Sequence, residues 1–254
     1  MSKQAAQVLE LLEFFARHKR PATLAQGAEH FGWPRSSAFN LLTMLAARGY
    51  LYEPRPKAGY YPSARWSVLA EDIRLAEPTS SELHQMLEEC SRVSGETVSL
   101  CVASGANVLF ADVVESRHAV RYTAKVGKVV PLLAAATGRA LLSQRPAEER
   151  AAFLRKAVFV QHTANTLMSA DAVEKEIRRS VKRGWFVGHS EFSQGLVGLS
   201  IALPMPGRHY AVLIAGPADR MEGRYEELAL TARVAIEDCL DLKLPAPEQE
   251  AALA

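Results

Sequence analysis

Two apolar stripes of helical period, residues 24–31 and 38–45, are separated by only six residues that open with Gly32-Trp33-Pro34, and this spacing restricts the fold more than any other feature. Thr23-Leu24-Ala25-Gln26 matches a capping box, with Thr as the N-cap and Gln at the third helical position. The first stripe therefore predicts a short helix to about His30, with Leu24, Ala25, Ala28 and Phe31 inward. Pro34 suits the first turn of the next helix, in which Ala38, Leu41, Leu42 and Leu45 form the buried stripe and Gly49 the stop. An earlier stripe, Val8, Leu11, Leu12 and Phe15, predicts a helix over residues 4–18 that Arg17 to Arg20 and Pro21 end. Two helices joined by three residues are a helix-turn-helix, whose second helix enters the DNA major groove.

Off the buried stripe of that second helix stand Arg35, Ser36, Ser37, Phe39, Asn40 and Thr43. Arg and Asn read guanine and adenine in bidentate fashion, and Ser and Thr reach bases or phosphate. Thr23, opening the preceding helix, joins this DNA-facing set. Tyr50 to Glu53 and Gly59 to Tyr61 read as two short strands joined by Pro54-Arg55-Pro56-Lys57-Ala58, a wing that offers Arg55 and Lys57 to phosphates. Charge supports this: residues 1–65 carry nine Lys+Arg against four Asp+Glu, a net +5, while the remainder carries 21 against 24. The formal total of +2 hides a basic head on a mildly acidic body, the asymmetry of a polyanion-binding module joined to a different domain.

Other classes fall away. The longest apolar run, Val129 to Ala136, is eight residues with a proline inside it, against roughly 20 for a membrane span. The first residues hold no apolar signal core. Cys90, Cys101 and Cys239 are far apart, so the sequence calls for neither a metal, a disulfide framework nor a cofactor, and the cytoplasm is the expected compartment. No HExxH, GxSxG, phosphate-binding loop or dinucleotide fingerprint occurs, and the reading is not an enzyme.

Beyond the head, residues 64–77 predict a linker helix with Trp66, Leu69, Ala70, Ile73 and Ala76 on one face. A second capping box, Thr79 to Glu82, opens a helix striped by Leu83, Met86, Leu87, Cys90 and Val93. Alternation at Val98, Leu100 and Val102, a Ser104-Gly105 turn and the run from Val108 to Val114 predict a hairpin. Further strands are expected at Arg121–Val126, Trp185–Val187, Gly198–Leu203 and Tyr210–Ala215, the last two joined through Pro206-Gly207. Helices are expected from Thr137, over Ala147–Ala157 and Asp171–Arg183, and from about Glu222 to Leu240. The organisation is 1–63 winged helix-turn-helix, 64–78 linker helix, 79–241 an α+β domain with an antiparallel sheet, and 242–254 a flexible tail.

These residues together resemble the isocitrate lyase regulator (IclR) family of bacterial transcription factors. The resemblance spans about residues 4–241. It rests on Leu24-Ala25, Gly32-Trp33-Pro34-Arg35-Ser36-Ser37, Arg48-Gly49-Tyr50-Leu51 and Gly95 to Leu100. It continues through Val113 to Ser116, Val126-Gly127, Gly138-Arg139-Ala140-Leu141-Leu142, Arg183-Gly184-Trp185 and Ala215-Gly216-Pro217-Ala218. It implies a GAF-like effector-binding domain, a homodimer or dimer of dimers, and an operator on double-stranded DNA, with no membrane partner. It implies too that a small organic effector controls DNA binding through the linker helix. An architectural regulator whose C-terminal domain only oligomerises is the alternative.

Departures from the family pattern point to the effector. Gly198 stands where the family often has Cys, and Leu213 and Ala215 where it often has Ser. Leu133 and Ala135 replace a His and a Thr, and Gly188 stands near an expected acid. Small oxo-acids such as glyoxylate need the polar groups these changes remove, so the pocket is expected to take a larger aromatic or hydrophobic ligand. Thr137, His162, His189, Ser190 and Glu191 are the polar candidates to orient it, Arg121 and Arg139 the candidates to neutralise a carboxylate, and Gly138 part of the wall. In the recognition helix Phe39 and Asn40 replace a His and a basic residue, so Asn40 is expected to read adenine and Phe39 to pack on a thymine methyl.

Overall fold

The computed structural model describes residues 3–75 and 80–247. The chain divides into two compact units, Met1–Pro78 and Thr79–Ala254. The first contains α1 (Lys3–His18), α2 (Leu24–Phe31), α3 (Arg35–Ala47), β1 (Leu51–Tyr52), β2 (Tyr61–Pro62) and α4 (Arg65–Leu75). The capping box forms as expected: the Thr23 hydroxyl accepts from the Gln26 N–H, and Gln26 Oε1 accepts from the Thr23 N–H at 2.9 Å. Gly32 then ends α2 in the left-handed region at φ 64°, which a side chain would disfavour. Pro34 is the N-cap of α3 rather than its first helical residue.

The predicted stripe of α3 is the one buried, Ala38, Leu41, Leu42 and Leu45. It meets Leu11, Phe14, Phe15, Ala22 and Leu51 in one small core. Phe14 lay outside the expected stripe of α1 yet is buried, because its ring packs against His18, His30 and Phe31. Ala25 is exposed rather than inward, and Gly27 and Ala28 fill the inner face of α2. The wing pairs as an antiparallel ribbon, and Tyr60 bridges back to Ala22. Gly59 allows that approach, since a Cβ there would lie 2.4 Å from the Ala22 carbonyl. In α4, Trp66 Nε1 donates to the Tyr50 carbonyl at 2.9 Å, but Val68, Leu69 and Ile73 stand in solvent. Ala76 and the N-cap of the second capping box, Thr79, lie outside the described residues.

The second unit is built on an antiparallel sheet of β3 (Thr97–Ser104), β4 (Asn107–Val114), β5 (Val129–Pro131), β6 (Phe186–His189), β7 (Leu196–Met205) and β8 (Arg208–Pro217). Its order is β5-β4-β3-β8-β7-β6. Helices cover both faces. The long α5 (Ser80–Ser94) and α10 (Tyr225–Leu240) bury Leu83, Met86, Leu87, Cys90, Ala232 and Ile236 against Val98, Leu100, Val212 and Ile214. On the opposite face α6 (Ala136–Ser143), α7 (Ala147–Lys156) and α8 (Ala170–Arg183) pack Ala140, Leu142, Leu154 and Ile177 toward Cys101, Phe110, Ala211 and Leu213. The alternation along β3 and β8 divides these two cores, as period-two strands must.

Three expectations are corrected here. Residues 121–126 are not a strand. The Tyr122 carbonyl is held by the Thr97 hydroxyl at 2.6 Å, and the chain reaches the edge of β4 only at Gly127 and Lys128, which bond Phe110. The C-terminal helix begins at Tyr225, after the short α9 (Ala218–Met221) and a turn through Gly223 at φ 78°. The start of the expected loose tail is fastened: Leu244 is buried, and the Pro245 carbonyl accepts from Arg233 at 2.6 Å.

Two outcomes follow from this packing. Burial pushes the Cys90 thiol up to about 12, and Cys101 is raised still further by the same cause. Only the thiolate is nucleophilic, so a disulfide reagent at pH 8 is expected to modify the exposed Cys239 alone, with all three thiols released by denaturant. More than one thiol reacting in the folded protein would contradict the packing. Gly138→Ala puts a Cβ 1.7 Å from the Leu132 carbonyl oxygen. Relief demands a backbone shift, and urea unfolding is expected to show a loss of about 3 kcal/mol or more.

Candidate DNA-binding face and effector cavity

At 100° per residue, Ser36, Asn40, Thr43 and Ala47 lie opposite the buried stripe of α3, with Phe39 and Met44 on the flanks. Arg35, Ser36, Ser37, Phe39, Asn40 and Thr43 are all exposed, Phe39 at 53%. The centre of this face bears no charge. Cations flank it: Arg35 begins the helix, Arg48 caps it, and Arg55 and Lys57 stand exposed on the wing. Lys57 adopts φ 64° in the turn that the Ala58 N–H closes on the Arg55 carbonyl. Such a face reads bases with neutral groups and leaves phosphates to the flanks. Thr23 is engaged in the capping box, so its hydroxyl serves α2 first.

In the second unit a small cavity of about 40 Å³ opens between α6 and the sheet. Its walls include Ala135, Thr137, Glu191, Gly198, Leu213 and Ala215, six of the residues expected from sequence. Gly188, noted in the sequence for a missing acid, is also in the wall, which is completed by Phe110, Tyr122, Val130, Ala134, Ala136, Phe192 and Leu196, none of them selected from sequence. The signal for Phe110 was available, since it alternates inward on the hairpin. That for Phe192 was not, because it sits in an irregular loop.

The remaining expected residues lie elsewhere. Leu133 and His162 line a separate groove of about 340 Å³ with Phe153, Val158 and Val160. The short helical turn at Leu132–Ala134 turns the Leu133 side chain away from the sheet, so the residue faces the other space. His189 lines an open cleft of about 710 Å³, its Nδ1 2.9 Å from the Tyr225 hydroxyl. Arg121 is spent at the surface on Glu115, at 3.2 Å. Gly138 is a packing position against Leu132, not a wall of the cavity. Ser190 is buried in left-handed backbone, and its hydroxyl accepts from the Gly195 N–H.

Arg139, expected to neutralise a ligand carboxylate, is instead paired within the protein and does not line the cavity. Its side chain is 0% exposed, donating through Nη1 to Glu191 Oε2 at 2.6 Å and through Nη2 to Glu191 Oε1 at 3.1 Å and the Val187 carbonyl at 2.8 Å. Burial pushes the Glu191 carboxyl above the usual range, while Arg139 pulls it down. The loop around His162 also has a role. Asn165 Nδ2 donates to the His189 carbonyl, the Thr163 hydroxyl to that of Ser190, and the Thr166 hydroxyl to that of Glu191. Three polar side chains thus hold three successive carbonyls beside the cavity.

Among the described residues, two buried hydroxyls have no partner, and neither do Arg139 Nε and Gln144 Oε1. Thr137 Oγ1 belongs to the cavity wall, and Ser99 Oγ lies on the strand directly across from Leu213. Leu213 thus stands between two serines of the ladder, Ser99 on β3 and Ser200 on β7, and the Ser200 hydroxyl is spent on the Val212 carbonyl at 2.9 Å. Among the described residues no cluster of His, Cys, Asp and Glu is arranged to hold a metal ion, and no helix is long and apolar enough to cross a membrane.

Comparison with known proteins agrees with both halves. Residues 5–55 match the IclR helix-turn-helix domain, and residues 78–238 match the bacterial transcriptional regulator IclR C-terminal domain. The chain is similar to the HTH-type transcriptional regulator Rv1719 of Mycobacterium tuberculosis, with 29% identity over 88% of this chain and 86% of that protein. It is 25% identical to the transcriptional repressor IclR of Escherichia coli, over 84% of this chain and 79% of the repressor. Its fold is similar to that of an IclR homologue from Microbacterium hydrocarbonoxydans crystallised with 4-hydroxybenzoate, at TM-score 0.76 and 20% identity, covering 94% of this chain and 99% of the other. The match of the larger domain alone spans more than half of the sequence, and the chain belongs to the IclR family of DNA-binding transcriptional regulators.

Proposed function

We propose that the chain regulates transcription by binding an operator through α3 and the wing, and that a small apolar organic molecule seated between α6 and the sheet controls this binding. The observation that carries the reading is the partly open cavity lined by Phe110, Tyr122 and residues from 130–137 and 188–215, with walls almost wholly of apolar side chains. A regulator of similar fold was crystallised with 4-hydroxybenzoate, an aromatic molecule. The missing Cys, Ser and His positions of the family pattern argue against a small oxo-acid. Regulation then requires that ligand and DNA favour different arrangements of the protein.

Operators of helix-turn-helix regulators are read as paired half-sites, about one helical turn or its multiples apart, and this calls for a homodimer or a dimer of dimers. The exposed Val68, Leu69 and Ile73 of α4 support an assembly. A regulator of bacterial DNA works in the cytoplasm, and neither cofactor nor catalysis enters the reading. The small free volume, about 40 Å³, favours a second reading: a DNA-binding architectural regulator that takes no ligand. On the first reading, Leu213 or Phe192 must move when a ligand enters.

The test is binding of the full chain to duplex DNA from its own upstream region, followed by fluorescence anisotropy. Affinity is expected to fall steeply with salt and to change when an aromatic ligand is present. Ligand-independent binding would favour the architectural reading, and no binding would remove both. Asn40→Ala is expected to relax preference at one half-site position, at a cost of about 1–3 kcal/mol, in a binding-site selection. An unchanged preference would remove Asn40 from the reading set.

A further inference from the structure

The charge inside the cavity narrows its ligand class. This inference rests on the effector reading above. Glu191 is the one side chain of the cavity wall that bears a formal charge, and that charge is negative. The other polar side chains there are Thr137 and Tyr122. The nearest buried cation, Arg139, is not part of the wall. It stands behind Glu191, with both terminal nitrogens committed to Glu191 and the Val187 carbonyl. Arg121, the other cation considered for a ligand carboxylate, is at the surface with Glu115. Arg139 keeps an unpartnered Nε and Lys128 stands over the Tyr122 ring at 4.4 Å, but neither residue lines the cavity, so a carboxylate entering this space would lose its water and meet a carboxylate with no cation in the wall, two unfavourable terms together.

The unfilled hydrogen-bonding capacity has a definite character. An ionised carboxylate accepts at about four lone-pair positions, and Arg139 uses two of those on Glu191, so the group still accepts from a donor. Thr137 is only 1% exposed, and its hydroxyl has no partner in the empty cavity. A buried hydroxyl without a partner is costly, and one that lines a cavity marks a place for a ligand atom. From these groups we infer that the effector is an uncharged, largely apolar molecule carrying one hydroxyl or amine, which donates to Glu191 and takes the Thr137 hydroxyl as its second partner. Phenols, aryl alcohols and aryl amines have this chemistry. Aromatic acids of the same size do not.

The test is a matched series titrated into the full-length protein by calorimetry, with thermal shift in parallel: 4-methylphenol, its methyl ether and 4-methylbenzoate. The phenol is expected to bind and raise the melting temperature. The ether, lacking the donor, is expected to bind at least about 10-fold more weakly, and the acid more than about 100-fold more weakly. Thr137→Val keeps the shape and removes the unpartnered hydroxyl. It is expected to leave the free protein as stable as before or more so, while weakening the phenol by about 5-fold to 10-fold. Binding of the acid as tight as that of the phenol would overturn the inference and leave the effector reading standing. Equal binding of phenol and ether would do the same. Binding of none of the three, in a protein that still binds DNA, would overturn both.

Discussion

A guanidinium withdrawn wholly from water is the constraint around which the larger domain is organised. Arg139 points from α6 towards the edge strand β6, where the Glu191 carboxylate and the Val187 carbonyl take its two terminal nitrogens. Leaving either partner alone in that interior would cost about 3–5 kcal/mol. The pair therefore fixes the distance between helix and strand, and with it the width of the space they enclose. The residues that complete the arrangement follow from this demand. Glu191 must turn inward from an irregular loop, so Ser190 takes left-handed backbone and Thr163, Asn165 and Thr166 hold the carbonyls around it. The same pair turns the guanidinium away from the cavity and leaves a carboxylate, not a cation, at its wall.

The N-terminal domain applies the opposite economy. Its charge is basic overall, yet the outward centre of α3 is Ser36, Asn40, Thr43 and Ala47, and the cations sit at the helix ends and on the wing. Phosphate attraction is thus separated from base reading. Phe39 stands exposed beside Asn40 on this face, apolar and uncharged where guanine's usual reader is a basic residue.

Much of this was legible in the sequence where the information is local. The four buried residues of α3 follow from period alone, and the capping box at Thr23 follows from spacing and side-chain chemistry. Cavity residues on strands, such as Gly198, Leu213 and Ala215, were found because strand alternation and family position agree. What escaped depends on partners distant in the chain. Arg139 and Glu191 are 52 residues apart, and no local pattern distinguishes that arginine from one in solvent. Residues 121–126 alternate like a strand, but Thr97 claims Tyr122 and the edge of β4 is taken by the residues after them. Leu133 is expected at the effector from its family position and His162 from its polar chemistry, but both line another groove, Leu133 from a single helical turn. Phe14 lies at i+3 from Leu11, on the flank of the stripe through Val8, Leu11, Leu12 and Phe15, and its burial is completed by His18, His30 and Phe31.

The claim that Arg139 and Glu191 act as one buried unit, and so set both the width and the charge of the cavity, is tested most directly by a double-mutant cycle. Urea unfolding would be measured for Arg139→Met, Glu191→Leu and the pair. Each single substitution is predicted to destabilise by about 3–5 kcal/mol, and the double by less than their sum, with a coupling of about 2 kcal/mol or more. Losses that add to within about 0.5 kcal/mol would contradict the account, because the two groups would then be independent and the cavity's charge would have another origin.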